Sequence, residues 1–440
     1  MFIKIKKIIL LLGDFLSAAL ALALTLLIRY PRVDFKLYWP QHRTHFLIIS
    51  LFWLILFYVH GLYSLDIKIG RRFFRAASSA SLLAALSGAL YFYLNSQTDI
   101  TPKTNLAIFI IGFFILFIAW RYLFQSLINS FIPKEGLGII DSAEKNQELI
   151  QELNNRPGSG YQVTAVFKNA EELEKLADVI KEKNIKTLVV INDFGQSDNL
   201  RQSLFDCLAY RVTIYNYPDF YEMITGKIPL EAIDASWFIE NLQSGQKNYF
   251  ITIKRWLDFI GALFILVVSL PAWPIIALII KLGSRGPIFF RQDRVGQNGQ
   301  VFSIIKFRTM REENNDRSIT ITGDKRITAF GALLRSTRLD EIPQVLNILK
   351  GEMSFIGPRP ERPELISELE QAIPFYKTRL LIKPGLTGWD QISGHYHSAS
   401  LADSREKLQY DLFYLKQRSL YLDLSITLKT IATILSRGGR

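Results

Sequence analysis

A chain of 440 residues is too long for one ordinary domain and implies two or three folded units. Hydrophobic residues make up 49% of it and gather in long blocks, as in a membrane protein, while the net charge is +12. No zinc-finger spacing or RNA-binding signature accompanies that charge, so it points to anionic lipid and phosphorylated small molecules and away from nucleic acid. The single cysteine, Cys207, excludes an intrachain disulfide and reads as a buried thiol. The five histidines lack metal-ligand spacing: His42 and His45 flank a membrane boundary, and His395 and His397 lie in a polar loop.

Four apolar stretches open the chain, at 8–29, 46–64, 77–95 and 105–130, each near the ~20 residues that span a bilayer. The first is too long, and lacks the small-residue site, for a cleaved signal peptide. Lys4, Lys6 and Lys7 precede it, and Lys68, Arg71, Arg72 and Arg75 lie between the second and third stretches. Cations of this kind favour the cytoplasm, which an even number of spans also gives to residue 131 onward. Arg32, Lys36 and Arg43, in a 30–45 loop, weigh against that orientation. Asp14 inside the first stretch is a functional candidate by position; snorkelling or a local ion pair with the nearby lysines is the simpler expectation.

Residues 136–240 alternate strands and helices. Strands are expected at 136–141, 161–167, 185–191 and 212–215, with helices at 143–154, 170–183 and 198–209, the pattern of a small parallel α/β domain. A dinucleotide site needs glycines after the first strand. Here Asp141-Ser142-Ala143-Glu144-Lys145 offers none, and its acids repel phosphate, so the domain reads as structural or regulatory.

A second membrane element runs from Trp256 to Leu282, with Pro271 and Pro274 near its middle. An interior proline costs about 3 kcal/mol of helix, so two of them predict a sharp bend, with Ser269 placed to bond back to a freed carbonyl. Lys254 and Arg255 at one end and Lys281 and Arg285 at the other favour a hairpin over a kinked span, since both ends then meet the anionic leaflet. Asp258 is expected to pair with a neighbouring cation.

Beyond the break, Gly286-Pro287-Ile288-Phe289-Phe290 reads as a strand and Gln292-Asp293-Arg294-Val295-Gly296 as a tight turn exposing Arg294. The alternating run 302–310 places Phe302, Ile304, Lys306 and Arg308 on one face, as phosphate contacts or as a solvated edge. Asp340-Glu341 then opens a helix that Pro343 dates to about residue 340, with Ile342, Val345, Leu346 and Leu349 as its buried face. The plainest reading of Asp340 is a helix N-cap. The positive helix end would keep both carboxylates ionised. An ionised aspartate can attack phosphorus, a neighbouring glutamate can hold Mg²⁺, and Arg335, Arg338, Arg359 and Arg362 can stabilise the transferring group. Residues 404–418 and 420–436 read as amphipathic helices, lying on the membrane surface or packed on the domain.

From Lys254 onward the chain resembles the bacterial sugar transferase family, the monotopic phosphoglycosyl transferases. The matching pieces are Lys254-Arg255-x-x-Asp258, the proline-broken helix, Gln292-x-Arg294-x-Gly296, Lys306-Phe307-Arg308-Thr309-Met310, Leu339-Asp340-Glu341, the run from Gly351 to Pro360, and Lys383-Pro384-Gly385-Leu386-Thr387-Gly388-Trp389. With the four leading spans, nearly the whole chain resembles the long form, the polyprenyl glycosylphosphotransferases. It departs from the family pattern at Leu270, where a serine often precedes the proline, and at Gly394-His395, where Gly-Arg is usual.

The resemblance implies a membrane protein, α plus α/β: a four-helix transmembrane bundle (1–130), a degenerate Rossmann-like α/β domain without nucleotide fingerprint (131–245), a re-entrant membrane helix (250–285) and an α+β catalytic domain (286–440). It implies that Asp340 attacks the β-phosphate of a nucleotide sugar, usually UDP-linked, releasing UMP. The phospho-sugar then passes to polyprenyl (undecaprenyl) phosphate, as the first membrane step of exopolysaccharide, capsule or O-antigen synthesis. Glu341 is implied to hold Mg²⁺; Asp340 beside it is a further candidate ligand, and Arg294, Lys306, Arg308, Arg335, Arg338 and Arg359 are candidate phosphate-binding residues. The expected location is the bacterial inner membrane, multi-pass, with the catalytic domain cytoplasmic; a homodimer is left open. The competing reading is a non-catalytic scaffold or sensor whose basic domain binds lipid. It leaves the acids inside the basic segment unexplained. A polytopic phosphoglycosyl transferase or a glycosyltransferase would want Asp-Asp or Asp-x-Asp motifs, which the chain lacks.

Overall fold

The computed structural model describes residues 2–30, 35–63, 69–95, 102–131, 134–140, 147–169, 172–173, 175–191, 198–242, 248–311, 324, 326–393 and 400–435. Arg32, Lys68, the 141–145 turn, Gly394, His395 and His397 lie outside them, as does the side chain of Arg72. The chain forms two compact units, Met1–Phe220 and Tyr221–Arg440.

The first unit opens with α1 (Phe2–Arg29), α2 (Phe35–Val59), α3 (Arg71–Leu94) and α4 (Pro102–Phe131). Each contains a stretch long and apolar enough to cross a membrane. α1 and α3 each pack against both α2 and α4. Bulky rings from α2 and α4 (Trp53, Phe57, Phe109, Phe113, Phe117) fill the interior, and Ala77, Ala80 and Ala84 let α3 approach them. The outer faces carry exposed Leu and Ile, among them Leu16, Leu20, Leu86 and Ile111, as a lipid-facing helix requires.

Two expectations for these helices fail. Residues 35–45 are not a loop: α2 starts at Phe35 and runs through Pro40. Its buried histidine is satisfied inside the helices. His42 Nδ1 donates to Tyr38 O (2.9 Å), and Asn105 Nδ2 donates to His42 Nε2 (2.9 Å). Nor does Asp14 pair with the N-terminal lysines. It is fully buried and accepts from Arg121 Nη2 at 2.6 Å, a residue on α4. Arg121 also donates to Leu62 O and lies over the rings of Tyr63 and Phe117. A charge in this setting is tolerable only when paired.

The α/β part holds β1 (Glu135–Ile140), α5 (Gln147–Asn155), β2 (Tyr161–Phe167), α6 (Leu176–Glu182), β3 (Ile185–Val190), α7 (Asp198–Cys207) and β4 (Thr213–Asn216). The sheet is parallel, in order β2-β1-β3-β4. β3 is buried at nearly every position, as a central parallel strand covered on both faces must be. Cys207 is buried in its core.

The second unit begins within α8 (Tyr217–Thr225), continues through α9 (Ala235–Leu242) and enters the second apolar element as α10 (Asn248–Ser269). A single 3₁₀ turn, Leu270–Ala272, interrupts it before α11 (Trp273–Gly283). Pro271 and Pro274 sit in the opening turns of the 3₁₀ piece and of α11, where a missing N–H is tolerated. Ser269 Oγ donates back to Leu266 O (3.3 Å) and accepts from Trp273 Nε1 (3.1 Å).

β5 (Phe289–Val295) and β6 (Val301–Phe307) then pair antiparallel. Residues 292–295 are therefore strand, not the expected turn. The reversal is one step later, at Gly296–Gln300, where Asn298 and Gly299 take positive φ. After α12 (Ala329–Ser336) and α13 (Val345–Lys350), β7 (Ser354–Ile356) follows, then α14 (Pro363–Ala372) and β8 (Gly385–Thr387). β7 and β8 are parallel. α15 (Leu401–Gln417) supplies Leu408, Leu412, Tyr414 and Leu415 to the core, and α16 (Leu420–Leu435) adds Leu422 and Ile426 while leaving Tyr421 and Leu424 exposed. Five apolar helical elements, the broken one included, are the make-up of a membrane protein.

Candidate active site

Asp340 and Glu341 do not begin an α-helix. Arg338 takes a left-handed conformation (φ 58°), Leu339–Gln344 forms a 3₁₀ segment, and α13 starts only at Val345. The cap position is Arg338, whose side chain caps nothing, so Asp340 is not the expected N-cap. Pro343 lies inside this segment, where in an α-helix its ring would clash with the Leu339 carbonyl. Val345 and Ile348 are the buried apolar positions of α13, with Leu346 and Leu349 only half-buried.

Both acids are buried. Glu341 Oε1 accepts from Lys306 Nζ at 2.6 Å, and Arg359 Nη2 lies 3.8 Å from the same oxygen. Arg338 Nη1 stands 3.9 Å from Oε2. Burial pushes the Glu341 carboxyl up, but Lys306, Arg359 and Arg338 outweigh it and bring it down to about 2. Asp340 goes the other way, against expectation. Burial first, and the Glu341 charge second, raise it to about 6, and Lys306, Arg335 and Arg338 only partly pull it back. Its Oδ1 is buried with no hydrogen-bond partner. One acid is thus held by cations, while the other is close to proton exchange near neutrality with a bare oxygen.

The remaining basic candidates divide. Lys306, Arg338 and Arg359 converge on Glu341. Arg335 is near enough to feel the Asp340 charge, and its Nε donates to Thr309 Oγ1 (2.9 Å). Arg294 is not exposed on a turn: its Nη1 donates to Pro360 O (2.8 Å) and its Nη2 to Gln292 Oε1 (2.7 Å). Arg308 donates to Arg285 O and to O and Oγ of Ser284, tying the end of α11 to β6. Each of these last two holds backbone carbonyls. Asp258 likewise takes a backbone partner, accepting from Phe355 N at 3.1 Å. Ser269, Pro271 and Pro274 remain at the helix break, apart from the acids.

Residues that the sequence reading passed over also bear on the site. Arg379, on the 3₁₀ segment Tyr376–Leu381, is 4% exposed, and its Nη2 donates to Arg359 O at 3.0 Å. Asp411 on α15 lies 2.8 Å from that nitrogen. Spacing alone could not flag a contact between residues so far apart.

Mg²⁺ takes one or two carboxylates and completes its shell with phosphates and water. Among the described residues no cluster of three or more His, Cys, Asp or Glu forms a closed cage. The unpartnered Oδ1 of Asp340 and the Oε2 of Glu341, farther from its cations than Oε1, fit such an open shell.

A family model described as bacterial sugar transferase matches residues 249–437, and one described as a CoA-binding domain matches 48–193. A UDP-N-acetylgalactosamine-undecaprenyl-phosphate N-acetylgalactosaminephosphotransferase of Aeromonas hydrophila is 36% identical over 235 residues, 53% of this chain and 55% of that protein. A UDP-glucose:undecaprenyl-phosphate glucose-1-phosphate transferase of Xanthomonas campestris pv. campestris is 34% identical over 271 residues, 60% of this chain and 56% of the relative. One of the same name from Klebsiella pneumoniae is 30% identical over 336 residues, 72% of each chain. The chain thus spans just over half the length of the first two relatives and nearly three quarters of the third.

Proposed function

Because the chain belongs to the bacterial sugar transferase family, we propose that it transfers a sugar 1-phosphate from a UDP-sugar to polyprenyl phosphate through a covalent intermediate on Asp340. The observation that carries this reading is the unequal pair of acids. Glu341 is fixed among Lys306, Arg338 and Arg359, whereas Asp340 has a buried oxygen with no partner and a carboxyl raised to about 6. At pH 7 most Asp340 is ionised, and burial leaves it poorly solvated and reactive. The names of these relatives support the donor and acceptor classes.

In the first step an Asp340 oxygen bonds to the sugar-bearing phosphorus. The bond from that phosphorus to the bridging oxygen breaks, and UMP leaves with the electron pair. In the second step an oxygen of polyprenyl phosphate attacks the same phosphorus and the Asp340 carboxylate is regenerated. Arg338 and Arg359, 42% and 39% exposed, are open enough to reach phosphate oxygens while Lys306 keeps Glu341 ionised. Mg²⁺ would be held by Glu341 and Asp340, where it would screen phosphate charge.

We assign the protein to the bacterial inner membrane, with a four-helix transmembrane bundle and the 286–440 domain cytoplasmic. A re-entrant α10–α11 is supported by packing. Ala262 shares a small core with Ile304, and Trp273 and Ile280 share another with Phe307. Ala262 and Ile280 would stand about 27 Å apart on a straight helix, whereas Ile304 and Phe307 are about 10 Å apart on one strand. Lys254, Arg255, Lys281 and Arg285 then sit at one membrane face. Exopolysaccharide, capsule or O-antigen synthesis is the pathway class that consumes such a product.

The test is Mg²⁺-dependent UMP release from UDP-glucose and UDP-N-acetylgalactosamine by purified protein with undecaprenyl phosphate. Asp340→Asn is expected to reduce it at least about a thousandfold with normal expression. Turnover at the wild-type level in that variant contradicts the assignment.

A further inference from the structure

We propose that Arg379, braced by Asp411 and Tyr376, is a positioning residue that fixes Arg359 against Glu341. This rests on the proposed reaction for the role of Arg359 itself. The backbone before Arg359 is held by the sheet: Gly357 N donates to Thr387 O (3.0 Å), and Gly385 N to Pro358 O (2.9 Å). Past Pro358 the ladder ends, and side chains and a single cross-link take over. Arg379 Nη2 donates to Arg359 O, Arg294 Nη1 donates to Pro360 O, and Val295 N donates to Glu361 O. Three successive carbonyls of the turn are therefore each held by a donor from elsewhere in the fold.

Arg379 is the strut on the residue that matters. Its Nη1 donates to Tyr376 Oη at 2.6 Å, and Asp411 Oδ2 lies 2.8 Å from its Nη2. Glu361 stands 3.9 Å from Arg379 and from Arg294, and 3.8 Å from Lys407. Asp411 belongs to α15, whose Leu408, Leu412 and Leu415 are core residues, so the brace is anchored in the rigid part of the domain. Arg359 is itself half-exposed and has several rotatable bonds; where its backbone sits sets whether its guanidinium reaches Glu341, 3.8 Å away. A buried guanidinium–carboxylate pair adds little stability over apolar packing. A guanidinium can grip a peptide carbonyl, which an apolar side chain cannot, and that is its use here.

Arg379→Lys keeps the charge and withdraws the bond to Arg359 O; Tyr376→Phe removes one brace only. Both are measured with and without Arg359→Ala, as UMP release from UDP-glucose or UDP-N-acetylgalactosamine. Arg379→Lys is expected to lower kcat about tenfold beside Arg359, and less than about twofold when Arg359 is already alanine. Tyr376→Phe is expected to fall between wild type and Arg379→Lys. Equal fold-losses in both backgrounds, or no loss beside Arg359, overturn the proposal. Hydrogen exchange of the 357–361 backbone gives a second reading without turnover: faster exchange in Arg379→Lys supports the strut, unchanged exchange refutes it. A wild type that releases no UMP counts against the reaction, and the exchange result then decides the strut alone.

Discussion

Asp14 and Asp340 are both buried aspartates, and their surroundings set them to different tasks. Asp14 meets one cation, Arg121, at 2.6 Å, with both side chains closed from solvent and the guanidinium between the Tyr63 and Phe117 rings. The charges cancel locally, and the product is a tie between α1 and α4. Asp340 shares its site with a second acid and with Lys306, Arg335, Arg338 and Arg359, a surplus of positive charge. Two of those arginines are substantially exposed. A closed, balanced pair holds helices together. An open cationic set around a buried carboxylate is suited to receive phosphate.

The comparison breaks if the first pair acts on turnover or the second acid serves stability. Asp14→Leu leaves Arg121 charged and unpaired, and is expected to destabilise the membrane helices by about 3 kcal/mol. Thermal unfolding in detergent checks this, with UMP release per folded molecule expected to stay at the wild-type value. A smaller effect of opposite sign is expected at the other site. The Asp340 carboxyl stands at about 6 against an ordinary 3.8, so the folded state keeps a proton that the unfolded chain loses between those values. Stability contributed by this group therefore falls as pH rises from about 4 to 6, and the penalty is complete above 6. Asp340→Asn removes it and is expected to stabilise Mg²⁺-free protein by about 2 kcal/mol at pH 8. The difference should vanish below about pH 3, where the Asp340 carboxyl is protonated in both the folded and the unfolded chain. Equal melting temperatures at pH 8 would show that the carboxylate is better satisfied than its unpartnered oxygen indicates.

Much of the architecture was legible because it rests on local pattern. Apolar length located the long apolar helices, β-branched runs located the parallel strands, and Pro271 and Pro274 located the helix break. The Asp340-Glu341 dipeptide stood out for its acids among cations. What escaped depends on contacts between distant parts of the chain. Arg121 lies far along the chain from Asp14. The opposite directions of the Asp340 and Glu341 carboxyls arise from burial and from Lys306, none of which a helix-end argument contains. Arg294 and Arg308 have the composition of phosphate ligands but donate to backbone at Pro360, Ser284 and Arg285. Pro40 and the polar residues after it hid the start of α2, because His42 is satisfied by Tyr38 and Asn105 inside the helices.

Asp340, in the proposed reaction, carries the sugar phosphate between the two substrates. Intact-protein mass measurement after incubation with UDP-sugar and Mg²⁺, without polyprenyl phosphate, tests it most directly. One added sugar-phosphate mass is expected in the wild type, located by peptide mapping to Asp340 and discharged on adding undecaprenyl phosphate. An adduct that persists in Asp340→Asn, or UMP release that occurs only when the acceptor is present and leaves no adduct, would contradict it.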